Sequence, residues 1–157
     1  MKITLLVVGK TTDPCVQRLV DEYASRLSHY IGFDIEVIPE LRATKALTTE
    51  QQKAQEAALI RRQVQAADHV VLLDEHGKEY RSLEFASMLQ KRMSSGIKRL
   101  LFIVGGPYGF DDSVRSLAKE SISLSKMTFS HQLIRLLFVE QLYRAFTIIN
   151  HEPYHHE

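Results

Sequence analysis

Unbroken apolar runs and helically spaced apolar positions alternate along this chain. Ile3-Thr4-Leu5-Leu6-Val7-Val8 stops at Gly9, and His69-Val70-Val71-Leu72-Leu73 stops at Asp74-Glu75-His76-Gly77-Lys78. Leu100-Leu101-Phe102-Ile103-Val104 runs into Gly105-Gly106-Pro107-Tyr108-Gly109. Runs of this kind predict strands covered on both faces. Phe33–Ile38 alternates with period two, which predicts a half-exposed strand near a sheet edge. Ile122-Ser123-Leu124-Ser125 predicts a short alternating strand.

Between these runs the spacing turns helical. Asp13 and Pro14 supply an N-cap and a first-turn proline for a helix with Val16, Leu19, Val20, Tyr23 and Leu27 on its inner face. Thr48 or Thr49, paired with Gln51 or Gln52, forms a capping box for a helix from Glu50 to about Ala66 with only a thin apolar stripe. Ser82 predicts the cap of a helix that buries Phe85, Ala86, Leu89 and Met93 and runs to Gly96. Asp111 or Asp112 caps a helix reaching about Lys119, and Ser130 caps a last helix running towards Asn150. That last helix is apolar around nearly its whole circumference, so it must be buried on more than one side. Either it is central to a monomer or a second copy covers it, and a homodimer is the economical arrangement. Strands alternating with helices predict an α/β fold with a mostly parallel sheet and helices on both faces.

Composition narrows the class. A length of 157 residues predicts one domain, residues 1–157, and 45% apolar with 25% charged residues is ordinary for a soluble protein. The single cysteine, Cys15, allows no intramolecular disulfide and fits a reducing compartment. Ile3–Val8 is too short for a signal peptide, and no run approaches the ~20 apolar residues of a membrane span. A cytoplasmic protein with no membrane association is expected. The net charge of +1 does not advertise nucleic-acid binding, although Lys98, Arg99, Lys126, Arg135 and Arg144 offer material for a local basic patch.

The candidate chemistry begins at the glycine turn. Gly105 and Gly106 lack a Cβ, so a ligand can approach the backbone there, beyond the carboxyl end of a buried strand. The turn is neither a Gly-x-Gly-x-x-Gly nor a Walker A loop, so it does not read as a phosphate cradle. The tail His151-Glu152-Pro153-Tyr154-His155-His156-Glu157 collects metal-ligating residue types, but adjacent histidines at a chain end give no rigid ligand geometry. His131, just after the Ser130 cap, is either a hydrogen-bonding group in a site or an exposed polar residue.

Four ordered motifs resemble a known family. They are Ile103–Gly109, Ser123-Leu124-Ser125-Lys126-Met127-Thr128-Phe129-Ser130-His131, Leu136–Arg144 with Glu140-Gln141-Leu142-Tyr143-Arg144-Ala145, and Pro153-Tyr154-His155. Met1–Gly9 and Leu72-Leu73-Asp74 agree as well, so the resemblance covers essentially the whole chain. The family is that of the ribosomal large-subunit pseudouridine N3-methyltransferases, of the SPOUT class. Two positions depart from its pattern. His156 stands where a cation is usual, which weakens a phosphate contact there, and Ser130 replaces a proline.

The resemblance implies a C-terminal trefoil knot, an obligate homodimer and S-adenosylmethionine as cofactor, with no metal. It implies methylation of pseudouridine N3 in large-subunit rRNA; the near-neutral charge adds the expectation that the assembled ribosome is the substrate. Cofactor binding then falls to Leu73, Gly105, Gly106 and Leu124-Ser125-Lys126-Met127-Thr128-Phe129. Tyr154 and His155 of one protomer are expected to orient the target ring at the other's pocket, with His131 and Arg135 nearby. A non-catalytic dimeric module that binds rRNA or an adenosine-containing ligand through the same loops is the alternative.

Overall fold

The computed structural model describes residues 1–42, 44–66 and 68–156. Five strands form one sheet: β1 (Lys2–Val8), β2 (Gly32–Ile38), β3 (Asp68–Glu79), β4 (Arg99–Val104) and β5 (Glu120–Ser123). Their order is β2-β1-β4-β3-β5, and every neighbouring pair is parallel. The helices are α1 (Pro14–Leu27), α2 (Thr49–Gln63), α3 (Ser82–Met93), α4 (Asp112–Arg115) and α5 (Leu133–Ile149).

The apolar runs are unbroken because each strand serves two cores. Ile3, Leu5, Val7, Leu100, Phe102 and Val104 pack with Leu27, Phe85, Leu89, Phe138 and Leu142 from α1, α3 and α5. Leu6, Val8, Leu101 and Ile103 face the other way, against Ala57 and Ile60 of α2 and Val114 of α4. Successive side chains point to opposite faces, so a strand covered on both sides must be apolar at nearly every position; the exception in β1, Thr4, is buried but donates to Asp34 Oδ1 at 2.8 Å. The alternating β2 lies at the sheet edge, with Val37 exposed.

Predicted caps mostly form. The Asp13 carboxylate accepts from Cys15 N at 2.8 Å and Val16 N at 3.1 Å. Thr48 and Gln51 complete a capping box. Ser130 Oγ accepts from Leu133 N at 3.1 Å and Ser130 O accepts from Ile134 N at 3.0 Å, so capping chemistry sits at Ser130 although α5 proper starts at Leu133. Ser82 is a correction. The cap position is Arg81, whose N donates to the Glu84 carboxylate, while Ser82 Oγ ties α3 to Gln141 of α5.

Further elements differ from expectation, α3 among them, which ends at Met93 and leaves that side chain exposed. α4 ends at Arg115, four residues before the predicted Lys119, because Lys119 N already donates to Val70 O as the chain enters β5. β5 lies two residues earlier than predicted; Ser123 Oγ donates to Ser125 O and Ser125 Oγ accepts from Met127 N, turning the chain out of the sheet. β3 does not stop at Leu73. It leaves the ladder with β5 over residues 74–77 and rejoins it at Lys78 and Glu79. The polar stretch that suggested a loop is a wide bulge, the kind of irregularity that re-aims side chains beside functional sites.

α5 lies between α1 and α3, with Phe138, Val139, Leu142, Ala145 and Phe146 buried beneath it. Its remaining apolar side chains are only partly covered within one chain: Ile134, Leu136, Leu137, Tyr143, Ile148 and Ile149 are half-buried and Leu133 is 39% exposed.

Gly77 closes the bulge. A Cβ there would lie 2.6 Å from Ile122 N. Gly77→Ala is expected to cost about 2–3 kcal/mol by forcing two backbones apart. Gly32→Ala, whose Cβ would meet only Lys2 Cγ at 3.8 Å, should stay within about 0.5 kcal/mol of wild type. Urea unfolding of the two variants checks both values.

Candidate active site

The carboxyl ends of β3, β4 and β5 open onto a cavity of about 530 Å³, within the range of small-molecule sites. Leu73, Val104 and Ile122 give it a buried apolar floor, joined by Leu124. The glycine turn after β4, the loop after β5, and His131 and Ile134 from the entry to α5 form its walls. Most of the residues expected to hold a cofactor meet here: Leu73, Gly105, Gly106, Leu124, Ser125, Met127, Thr128 and Phe129. Lys126 does not line the cavity. Its side chain is 85% exposed, with Nζ 3.9 Å from Glu79, because the turn after Ser125 directs it to solvent.

The bulge of β3 supplies a wall that was missed. Asp74 sits deep in it and accepts from Arg115 Nη1 at 2.7 Å and from His76 N at 3.0 Å. Burial pushes its carboxyl up, but the His76 amide, the Arg115 guanidinium and the His76 ring outweigh burial and hold it below the ordinary aspartate range. Glu75 accepts from Thr128 Oγ1 at 2.6 Å, tying the bulge to the loop on the facing wall. The available signal was an acidic pair followed by glycine at a strand's carboxyl end.

The glycines act differently from the expectation that they admit a ligand. A Cβ on Gly105 would lie 3.2 Å from the Phe110 ring, and one on Gly106 would lie 2.3 Å from Glu56 Oε2. The missing side chains make room for protein groups behind the turn, while its other side faces the cavity. Glu56, on α2, is 5% exposed, and burial raises its carboxyl above the ordinary value; nearby Glu40 adds to the rise and a hydrogen bond from Gln52 opposes it.

Of the four expected catalytic residues, only His131 lines the cavity. Arg135 does not line the cavity; it is an internal clamp beside His131, 1% exposed. Its guanidinium donates to Val8 O at 2.7 Å, Gly9 O at 2.9 Å, Thr11 Oγ1 at 3.1 Å and His131 O at 2.8 Å. Those donors are committed to the end of β1 and the entry to α5.

Tyr154 and His155 lie elsewhere, folded against α1 and the middle of α5. The Tyr154 hydroxyl donates to Glu140 Oε1 at 3.1 Å and lies 3.2 Å from the Tyr23 hydroxyl, and its ring packs edge-on against Tyr143. The same Glu140 oxygen accepts from Arg144 Nη2 at 2.6 Å, and Arg144 Nη1 is 3.4 Å from His155 Nδ1. Burial, then the Tyr23 hydrogen bond and the Glu140 charge, raise the Tyr154 phenol well above its ordinary value. Glu152 accepts from the Tyr30 hydroxyl at 2.5 Å, a bond that pushes the Tyr30 phenol up to about 12. The tail is therefore docked on its own chain and lines no part of its own cavity. Among the described residues no three His, Cys, Asp or Glu side chains converge as metal ligands, in the tail or elsewhere.

Residues 1–155 match the family model described as "Predicted SPOUT methyltransferase". Relatives named "Ribosomal RNA large subunit methyltransferase H" align over the full length of both chains. Those of Phocaeicola vulgatus and Bacteroides fragilis are 58% identical to this chain, and that of Porphyromonas gingivalis is 54% identical. A solved structure titled a probable methyltransferase, from Bordetella pertussis Tohama I, superposes with a TM-score of 0.52 at 10% identity, covering 92% of this chain and 96% of that one. At that identity the likeness speaks to the fold alone.

The raised Glu56 carboxyl yields a stability prediction. A folded-state value above the unfolded one means that the group favours folding below the unfolded value and loses that contribution as pH rises through the folded one. Glu56→Gln should raise the thermal midpoint at pH 7, and the advantage should close as the buffer is taken below about pH 4. Paired melts across that range test the sign.

Proposed function

The chain belongs to the SPOUT methyltransferase family, and on that footing we propose that it transfers a methyl group from S-adenosylmethionine to N3 of a pseudouridine in large-subunit ribosomal RNA. The observation that carries this reading is the full-length match to relatives of that name, in a chain whose ligand loops converge on one cavity. The apolar floor suits an adenine ring, and the loop around Ser125 and Thr128 offers polar atoms for the ribose and amino-acid portions. We take residues 1–157 as one catalytic domain in a cytoplasmic protein, with the loops around the cavity threaded as a trefoil knot.

Bound S-adenosylmethionine supplies an electrophilic methyl on a positively charged sulfur. The protein's part is to align the ring nitrogen with that methyl and to manage the N3 proton, and alignment alone is worth several kcal/mol. Tyr154, held as a neutral phenol by burial and Glu140, serves as a hydrogen-bond donor and not as the base. Arg144 Nη1 lies 3.4 Å from His155 Nδ1, which leaves the ring's Nε2 to find a partner of its own. That Nε2 is buried without a partner in the single chain.

An orphaned ring nitrogen in a tail remote from its own cavity supports a homodimer in which each tail completes the other chain's site. Residues Leu73, Gly105, Gly106 and Leu124–Phe129 then hold the cofactor, and His131 stands beside the incoming ring. The near-neutral chain gives little phosphate-driven affinity, which favours the assembled ribosome, a shaped surface, over a bare hairpin.

Labelled methyl transfer to bare hairpin, isolated subunits and whole ribosomes, followed by mapping of the modified base, tests the function. Binding of S-adenosylmethionine without transfer to any of them would leave a non-catalytic binder. Tyr154→Phe and His155→Ala should each lower turnover by about 100-fold or more with cofactor affinity within twofold of wild type. Mixing a tail-defective chain with a pocket-defective one should restore activity; no restoration would place each site within a single chain.

A further inference from the structure

Two carboxylates are buried among the described residues. Asp68 has Arg99 Nε at 3.3 Å, whereas Glu56 has no cation within ion-pair distance. Its one hydrogen-bond donor is Gln52 Nε2, at 3.4 Å one turn earlier on α2. Both its oxygens lie against Gly106, 2.3 and 2.7 Å from where a Cβ would be, and Gly106 lines the cavity on its other side. An uncompensated acid is thus set one backbone thickness behind the cavity wall.

Its surroundings leave that charge unopposed. Glu40, packed on Gly9, is also acidic, and Arg135, whose field reaches Glu40, is bound to carbonyls. Of the acids on the cavity side, Asp74 is neutralised by Arg115, and Glu75 is exposed, where water screens it. Between Glu56 and the cavity lies protein, through which a unit charge acts over several ångströms far more strongly than through water.

We infer that Glu56 is a specificity-determining residue whose carboxylate, acting through the bare backbone of Gly106, favours a cationic sulfonium cofactor over its neutral product. The inference rests on the cofactor reading above. In methyl transfer the sulfur–methyl bond breaks and its electron pair stays on sulfur. The new bond forms from the lone pair of N3, whose proton leaves to solvent. The cofactor therefore loses one positive charge, and S-adenosylhomocysteine is a neutral thioether at the same position. A fixed anion nearby holds the first and not the second, which speeds exchange of spent cofactor. At an effective dielectric near 20 the discrimination is on the order of tenfold.

Calorimetric titration of the full chain with S-adenosylmethionine and with S-adenosylhomocysteine tests this at pH 7. Glu56→Gln should weaken the first about tenfold and leave the second unchanged. Gln52→Lys, which keeps the acid and sets a cation one turn away, should shift the ratio in the same direction. A thermal midpoint for Glu56→Gln at or above wild type establishes that the variant is folded. Equal weakening of both ligands would make Glu56 a brace for the turn and overturn the inference, as would a wild-type ratio in both variants. Failure of the wild-type protein to bind either ligand would instead sink the cofactor reading, and the inference with it.

Discussion

A guanidinium that pairs with no carboxylate holds the carboxyl edge of this sheet. Arg135 reaches from the first turn of α5 to the carbonyls that end β1, and it also grips the carbonyl of His131. Carbonyls at a strand terminus have no ladder partners, and burying them unmet would cost about 1–3 kcal/mol each. One planar fork satisfies several at once and fixes where α5 begins. The position of His131, and of the loop that precedes it, follows from that anchor. Removing the guanidinium would leave carbonyls without donors in the interior, so its role reaches the cavity without touching it.

The cavity in turn is built from three strand ends that finish in different ways. β4 ends in a glycine turn backed by Phe110 and Glu56. β5 ends in a serine-bonded turn, and β3 opens a bulge and then resumes pairing. Cross-links between these ends, Glu75 to Thr128 and Asp74 to Arg115, make the walls one connected frame. Such a frame keeps ligand-facing backbone in place without help from the ligand, the arrangement that lowers the cost of binding.

Much of this was legible in the residues. The uninterrupted apolar run Leu100–Val104 and the mostly apolar Ile3–Val8 required two covered faces, and the alternation of Phe33–Ile38 marked an edge. Capping residues located the starts of α1 and α2 because their chemistry is local. The misplaced features depend on distant partners. Ser82 looked like a cap until Gln141 claimed its hydroxyl, and the polar stretch after Leu73 hid a strand whose continuation depends on β5. Arg135 read as a surface cation because no local pattern announces that Val8 and Gly9 will sit beside it. The apolar girth of α5 was plain, but its neighbours α1 and α3, which cover only part of that girth, were not. The motifs gathered the cavity residues well as far as Asp74 but did not reach Glu75, His76 or Arg115, which belong to the bulge and to α4.

The strand order carries a consequence for how the chain is made. β1 is synthesised first, yet on one side its partner in the sheet is β4, with Lys2 opposite Arg99 and Val7 opposite Val104. At about 5–20 residues per second, the ribosome takes roughly 5–20 s to deliver that partner. Only the β1–α1–β2 unit can assemble in the meantime, with Leu5, Leu6 and Val7 lacking most of their eventual cover. A parallel sheet closed by such distant segments folds slowly and exposes apolar surface while it waits. The nascent chain therefore passes through an interval of exposed apolar surface that ends when residues near 104 emerge and α5 follows to seat Arg135.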